Sequence, residues 1–376
     1  MFTAADREFM ARALHLAERG MNTSMPNPRV GCVIVRNGTI VGQGWHEWRG
    51  QAHAEVHALA EAGTRARGAT AYVTLEPCNH RGSTGPCVDA LVQAGVGRVI
   101  AAMEDPNPAV NGHGLQRLRQ AGIDVRCGLL AHEARELNIG FVARMTRGRP
   151  WVRMKMASSL DGRCALRDGR SQWITGAAAR ADGHVWRARS CAILTGIGTV
   201  RDDDPQMNVR HVVTARQPLR VLIDSRLEVN PAARIVEDGG TLVICAVPEP
   251  ARSEQTAALV ERGCEVVTLA AKSTGGTPST VDLAAVLAEL ARREMNEVHV
   301  EAGARLSGAL LQAGLVDELL LYLAPKLLGD AMPWAALPEV SAIEQAWAFR
   351  YRSIERIGED VRLIARREED RKESEH

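Results

Sequence analysis

Two short runs, His53-Ala-Glu55-Val56 and Pro77-Cys78-Asn-His80-Arg-Gly-Ser83-Thr-Gly-Pro86-Cys87, constrain this chain more than any other feature. The chain has eight cysteines, and six of them (Cys32, Cys127, Cys164, Cys191, Cys245, Cys264) sit beside apolar residues, as small core fillers do. Cys78 and Cys87 differ, because each follows a proline at the edge of an element. His53 opens a helical pattern that runs to about Ala62, Pro77-Cys78 closes a strand begun at Ala71, and Cys87 stands at the start of a helix from about Pro86 to Ala94. The imidazole and the two thiols thus fall at the edges of elements in an alternating strand and helix order.

The neighbouring patterns agree. A helix is expected over residues 4 to 20, strands at Val30 to Arg36 and Thr39 to Gly44 around an Asn37-Gly38 turn, and a strand at Arg98 to Ala102, giving an α/β sandwich. Residues 103 to 150 hold Asp105-Pro-Asn107-Pro, a helix, a short strand around Ile123 to Arg126 and a polar stretch, Arg144 to Arg149, that ends at Pro150. A domain boundary is read there, giving domains 1–147 and 148–365. A second series follows: strand Val152 to Ala157, a helix near Ala177 to Ala188, strands Cys191 to Thr195, Arg220 to Asp224 and Thr241 to Ala246, helix Leu283 to Arg293, strand Glu297 to Glu301, helix Ala304 to Ala313 and strand Glu318 to Ala324. This alternation implies a largely parallel sheet with room for a cofactor at its strand ends. The last residues, 366–376, read as a charged flexible tail. The halves share no repeat, so they are free to carry different chemistries.

Charge removes several function classes. Lys and Arg number 46 against 45 Asp and Glu, a net charge of +1, so no overall field draws the chain to nucleic acid or anionic lipid. No run approaches the ~18 apolar residues of a membrane span, and the first residues read as an amphipathic helix rather than an export signal. A cytoplasmic location with reduced thiols is the expectation.

The chemistry follows from the donor types. Zinc held by one imidazole and two thiolates keeps a fourth position open and lowers the pKa of water enough to make hydroxide at neutral pH. A nearby carboxylate that does not ligate the metal then shuttles the proton, and Glu55, two residues after His53, fits. His-x-Glu followed by Pro-Cys-x-x-Cys is the arrangement of zinc deaminases; here eight residues separate the cysteines, a longer loop that costs little closure entropy. His57 or His80 as a fourth ligand would make the zinc structural instead, and His57, one turn after His53, could replace it. A tRNA or nucleotide deaminase would want a basic groove that the balanced charge does not suggest. A non-catalytic zinc protein would tolerate Glu55→Gln.

In residues 151 to 365 there is no Gly-x-Gly-x-x-Gly fingerprint and no Walker loop. Two strands do run into glycine-opened helix starts, Gly196-Ile-Gly198-Thr199 and Gly303-Ala-Arg-Leu-Ser307-Gly308, whose amides suit phosphate.

Taken together, Met25-Pro-Asn-Pro-Arg-Val-Gly-Cys-Val-Ile-Val, His53-Ala-Glu-Val-His-Ala-Leu, Thr74-Leu-Glu-Pro-Cys-Asn-His, Asp105-Pro-Asn-Pro, Ser159-Leu-Asp-Gly-Arg, Ser171-Gln-Trp-Ile-Thr, Asp203-Asp-Pro and Val300-Glu-Ala-Gly resemble the bifunctional deaminase/reductase family of riboflavin biosynthesis, from about residue 4 to about 365. The resemblance implies a cytidine-deaminase-like three-layer domain with zinc on His53, Cys78 and Cys87, Glu55 as proton shuttle, and Asn27, His46, His80 and Asn107 around the substrate. The family carries the long cysteine loop, and it commonly has a basic residue where this chain has Ser83, which leaves Arg81 as the nearby cation. The second half is similar to dihydrofolate reductase. Carried over, Ala157, Trp173, Thr199, Asp203, Ser225 and the run Gly303, Ala304, Arg305, Leu306, Ser307, Gly308, Ala309 would contact NADPH. Ser171, Arg187, Met207, Arg210 and Glu301 would hold the substrate, with Arg187 and Arg210 suited to a 5′-phosphate. Lys155 and Asp161 fall near that site without an assigned proton-transfer role. The resemblance further implies small phosphoribosylaminopyrimidine substrates, no nucleic-acid or membrane partner, and a homo-oligomer.

Overall fold

The computed structural model describes residues 1–79, 85–108, 110–248, 253–272 and 280–367. The chain divides into two compact units, Met1–Gly148 and Arg149–His376.

The first unit opens with α1 (Ala4–Glu18), started by a reciprocal cap: Thr3 Oγ1 accepts from the Asp6 amide at 3.1 Å while the Asp6 carboxylate accepts from the Thr3 amide at 2.8 Å. Strands β1 (Gly31–Arg36) and β2 (Thr39–Trp45) form a hairpin closed at Asn37-Gly38. Then come α2 (Ala54–Ala62), β3 (Thr70–Val73), α3 (Cys87–Gln93), β4 (Arg98–Ala101), α4 (His113–Gln120), β5 (Asp124–Cys127), α5 (Ala131–Leu137) and α6 (Ile139–Arg147). The sheet order is β2-β1-β3-β4-β5, antiparallel up to β3 and parallel beyond it. Strand side chains alternate between faces, and both faces are covered. Met10, Leu14, Val33, Tyr72, Ile100 and Phe141 form one interior, and Ile34, Ala58, Val73, Leu91 and Leu118 form the other. This is the three-layer arrangement expected. Within the polar stretch that precedes Pro150, Arg144 to Arg147 form the last turn of α6, where cations complement the carbonyl end of the helix.

Helix α2 lies directly on β2. A Cβ at Gly42 would stand 2.1 Å from the Ala58 carbonyl oxygen, and one at Gly44 would stand 2.6 Å from that of Ala54. Glycine permits that approach, which sets the height at which α2 presents its first turn.

The second unit contains β6 (Trp151–Ser159), β7 (Arg163–Ala165), α7 (Ala177–Arg189), β8 (Ala192–Gly196), α8 (Ile197–Asp203), β9 (Leu219–Ile223), β10 (Thr241–Cys245), α9 (Ser253–Glu261), β11 (Glu265–Thr268), β12 (Ala271–Lys272), β13 (Thr280–Val281), α10 (Leu283–Arg292), β14 (Glu297–Val300), α11 (Ala304–Gln312), β15 (Glu318–Ala324), β16 (Met332–Pro333), β17 (Phe349–Ile357) and β18 (Asp360–Arg367). Its main sheet runs β11-β10-β9-β8-β14-β6-β15-β18-β17. The pairings from β11 to β15 are parallel, as the alternating pattern implies, and the β18-β17 hairpin closes the sheet antiparallel. That hairpin was not legible, because β17 is exposed along most of its length and carries little apolar periodicity. Arg366 and Arg367 belong to β18 rather than to a tail, and Arg366 Nε donates to Glu318 Oε2 at 2.8 Å. The remaining tail residues, 368–376, lie outside the described residues.

A charged layer crosses the middle of this sheet. Arg153 on β6 is 1% exposed; it lies 3.1 Å from Glu297 on β14, hydrogen-bonds Glu318 on β15, and stacks on Trp186 at 4.5 Å. Buried carboxylates of this kind are tolerated because each has a cation with matched geometry.

Candidate active sites

In the first unit His53 caps α2, Cys78 lies beyond the end of β3, and Cys87 is the first residue of α3. His53 Nδ1 stands 3.2 Å from Cys87 Sγ and 3.5 Å from Cys78 Sγ, and the three donor atoms lie within 4.8 Å of one another. The long spacing between the cysteines therefore does not keep their sulfurs apart. One imidazole and two sulfurs form a donor set that zinc takes with a fourth position open, so the residues fit the metal. His57 does not join the cluster; its Nε2 is buried without a hydrogen-bond partner among the described residues. His80, Arg81 and Ser83 lie outside the described residues.

Glu55 sits in the first turn of α2, only 3% exposed. Burial pushes its carboxyl up to about 7, with His53 opposing, so it is poised to gain or lose a proton near neutrality. Cys78 is drawn down to about 4, chiefly by the hydrogen bond from Cys87 and further by His53, against the effect of burial. Cys87 is pushed up by the same bond.

Asn27 Nδ2 lies 3.0 Å from His46 Nε2, and His46 Nδ1 lies 3.2 Å from the Ala52 carbonyl oxygen. The His46 ring meets that of His53 edge-on at 5.3 Å, so Asn27, His46 and the metal-type cluster are contiguous. Asn107 sits in a turn in which its amide donates to Asp105 Oδ1 at 2.8 Å.

Glu76, within the Thr74-Leu-Glu-Pro-Cys-Asn-His run, has a role that its residue type does not announce. Its carboxylate accepts from the amides of Asp105 (3.0 Å), Gly112 (2.8 Å), Gly114 (2.8 Å) and Leu115 (3.2 Å). It thereby fastens the loop carrying Asn107 to the strand end that carries Cys78. Gly114 allows the contact, since a Cβ there would stand 2.1 Å from the Pro77 carbonyl oxygen.

In the second unit a cleft of about 1000 Å³ lies beyond the C-terminal ends of β6, β8, β9 and β14. Of the residues expected at a cofactor, Ala157, Trp173, Thr199, Asp203, Gly303, Ala304, Arg305 and Leu306 line it; so do all five expected at a substrate, Ser171, Arg187, Met207, Arg210 and Glu301. Ser225, Ser307, Gly308 and Ala309 lie outside its wall. Helical rotation turns Ser307 and Gly308 into the core, where Ser307 Oγ donates to the Ala302 carbonyl oxygen at 3.2 Å and a Cβ on Gly308 would stand 2.0 Å from the Ala336 carbonyl oxygen. Ala309 faces solvent, and Ser225 Oγ accepts from the Val281 amide at 3.1 Å. Cys164, read as a core filler, lines the cleft instead.

Glu301 and Arg187 form a two-point pair at 2.5 and 2.9 Å, and Arg187 also donates to the Asn208 carbonyl oxygen at 2.8 Å. Burial raises the proton affinity of Glu301, but Arg187 and Lys155, whose Nζ is 3.7 Å away, hold the carboxyl well below its ordinary range. His184 faces the same cations; burial, then Arg187 and Arg210, push it down to about 3, so it is neutral. Thr199 Oγ1 accepts from the Gly303 amide at 3.0 Å and ties the two glycine turns together. Asp161 accepts from the amides of Leu328 and Gly329 and from Ser159 Oγ, which makes it a clasp for that loop.

Comparisons with known proteins agree with this division. The family model for the RibD C-terminal domain matches residues 150–363, and that for the cytidine and deoxycytidylate deaminase zinc-binding region matches residues 3–103. Riboflavin biosynthesis protein RibD of Escherichia coli K12 is 48% identical over 371 residues, covering 95% of this chain and 98% of that protein. Its counterpart in Haemophilus influenzae is 44% identical, with 96% and 97% covered. Among solved structures, RibD of Acinetobacter baumannii matches with a TM-score of 0.88 at 42% identity, covering 96% of this chain and 99% of that one. A Thermotoga maritima diaminohydroxyphosphoribosylaminopyrimidine deaminase/5-amino-6-(5-phosphoribosylamino)uracil reductase matches with a TM-score of 0.83 at 30% identity, with 96% and 99% covered. Near-complete coverage on both sides, with one family model over each half, means that this chain belongs to the RibD family of riboflavin biosynthesis proteins.

Proposed function

We infer that the chain carries out two consecutive steps of riboflavin biosynthesis. Residues 1–147 remove ammonia from 2,5-diamino-6-(5-phosphoribosylamino)pyrimidin-4-one, and residues 148–365 reduce the ribosyl group of 5-amino-6-(5-phosphoribosylamino)uracil to ribityl. The observation that carries the reading is the convergence of His53, Cys78 and Cys87 beside buried Glu55, in a chain whose other half is a RibD-type domain with an open cleft.

In the deaminase half, His53 and the two thiols would hold zinc, which when bound supplies the Lewis acidity that makes water nucleophilic at neutral pH. Glu55 accepts a proton from the attacking water and passes it to the ring nitrogen, then takes the second proton from the newly formed hydroxyl and passes it to the amine as ammonia leaves. Its elevated proton affinity suits both directions of transfer. Asn27, His46, His80 and Asn107 are assigned to hold the pyrimidine ribotide, and Glu76 acts through the loop it fastens.

In the reductase half, NADPH supplies hydride when bound. The turn at Gly303 starts a nine-residue helix without a side-chain cap, so its first amides suit a phosphate group. Ala157 and Trp173 are assigned to the nicotinamide end, and Ser171, Met207, Arg210 and Glu301 to the substrate. The chain's task here is to align the reacting carbon of the open-chain sugar with the cofactor and to keep water out. Free thiols throughout, two of them needed at the metal-type cluster, favour a reducing compartment such as the cytoplasm.

The test is a steady-state assay of the purified full chain with the diaminopyrimidinone ribotide, following ammonia release and NADPH oxidation separately. Both are expected in sequence; Glu55→Gln should abolish both with this substrate and leave NADPH oxidation intact when preformed 5-amino-6-(5-phosphoribosylamino)uracil is supplied instead. Ammonia release without NADPH loss would overturn the bifunctional reading.

A further inference from the structure

The far end of the second cleft carries an arrangement that the assignments above do not use. Strands β8 and β9 are parallel neighbours joined through the glycine turn at Gly196 and α8. In dinucleotide-binding units of this connectivity, an acid just past the second strand takes the ribose 2′-hydroxyl of NAD, and an arginine accommodates the 2′-phosphate of NADP. Here the residue past β9 is Asp224, and it is turned away from the cleft. It is fully buried, and its Oδ2 accepts from the amides of Glu228 at 2.6 Å and Val229 at 2.8 Å. The group the chain presents to the cleft in its place is Arg226.

Arg226 is paired across the cleft wall with a second cation. Arg226 Nε stands 3.0 Å from Glu228 Oε1, and Arg201 Nη2 of α8 stands 2.5 Å from Glu228 Oε2. Both guanidiniums line the cleft, and one carboxylate serves the two of them, leaving a net positive charge. Resting on the reading of this half as a nucleotide-dependent reductase, we propose that Arg201 and Arg226, held together by Glu228, form the subsite that takes the 2′-phosphate of NADPH and so sets the preference over NADH. A phosphate monoester supplies the missing negative charge and accepts from both forks, whereas a ribose hydroxyl leaves the excess charge unmet. The role of Glu228 is to hold the two cations in register, and it weakens the site's pull on any anion.

The experiment is calorimetric binding of adenosine 2′,5′-bisphosphate and of adenosine 5′-monophosphate to the full chain, without turnover. Arg226→Gln and Arg201→Gln are each expected to weaken the bisphosphate about tenfold, the scale of one solvent-exposed charge-assisted contact, and to leave the monophosphate within about twofold. Glu228→Gln should tighten the bisphosphate alone. The NADPH to NADH ratio of kcat/KM should fall by a similar factor in both arginine variants. Equal losses for both nucleotides, or no loss for either, would overturn the subsite. A wild-type chain that binds neither nucleotide would overturn the reading of this half along with it.

Discussion

The two halves solve the problem of building a site in opposite ways. In the first, three donor atoms and one carboxylate come from a single stretch, His53 to Cys87, and the site is a small buried cluster whose chemistry lies in the identity of four side chains. In the second, the groups come from strands, a helix and loops spread between Lys155 and Glu301, and the site is an open cleft in which Arg187 and Lys155 are balanced against Glu301. A compact cluster should fail completely when one member is lost. A distributed cleft should degrade by degrees.

The largest expected effect breaks or upholds that contrast directly. Removing the metal with a chelator, or making Cys87→Ser, should reduce ammonia release by about 10³-fold or more, the scale on which proton and metal assistance act. NADPH oxidation with preformed aminouracil ribotide should persist. If reduction falls in parallel, the two halves are not separate machines.

A smaller effect is expected at Glu76. Its loss in Glu76→Ala strands four amides, three of them in buried contacts, and should cost about 3 kcal/mol, since each buried donor left unpaired costs on the order of 1 kcal/mol. Thermal unfolding should show the transition of the first unit lowered and that of the second unmoved. A variant with unchanged melting would show that the loop carrying Asn107 is fastened some other way.

The smallest concerns the charge balance of the cleft. Glu301 is held below its ordinary value of 4.5, so its contribution to stability is present above about that pH and is lost as the pH falls further. The melting temperature of the second unit should drop below pH 4.5, and Glu301→Gln should be less stable at pH 7 yet flatter with acid, by about 4 °C. An equal acid slope in the variant would assign the loss to other carboxylates such as Glu318, which is also held low by Arg153 and Arg366 against its burial.

What the sequence revealed follows the same division. His53, Glu55, Cys78 and Cys87 were legible because metal-type donors at element edges have few other uses, and the parallel strands were legible from their apolar runs. Glu76 was not, because its role is to accept from backbone amides, and amides carry no sequence signature. The pairing of Arg187 with Glu301 was equally hidden, since both arginine and glutamate are common and lie on different elements. The mistaken tail boundary at Arg366 has the same origin: a charged residue inside β18 is explained by partners distant in sequence, Glu318 and the Trp151 ring.

The buried Arg153 has a consequence for alignment. Along β6, Arg153, Lys155 and Ala157 point to one face, and Glu297, His299 and Glu301 do the same on β14. Sliding β6 by one residue between its neighbours would exchange its faces, carry the guanidinium away from Glu297 and Glu318, and leave each of those buried carboxylates with one cation fewer, Arg189 alone beside Glu297 and Arg366 alone beside Glu318. The misaligned sheet is thus penalised at its foot for an error whose effect would be felt at its mouth, where Lys155 and Ala157 must arrive on the correct side. Arg153 ties the register of β6 to the placement of Lys155 and Ala157 at the cleft.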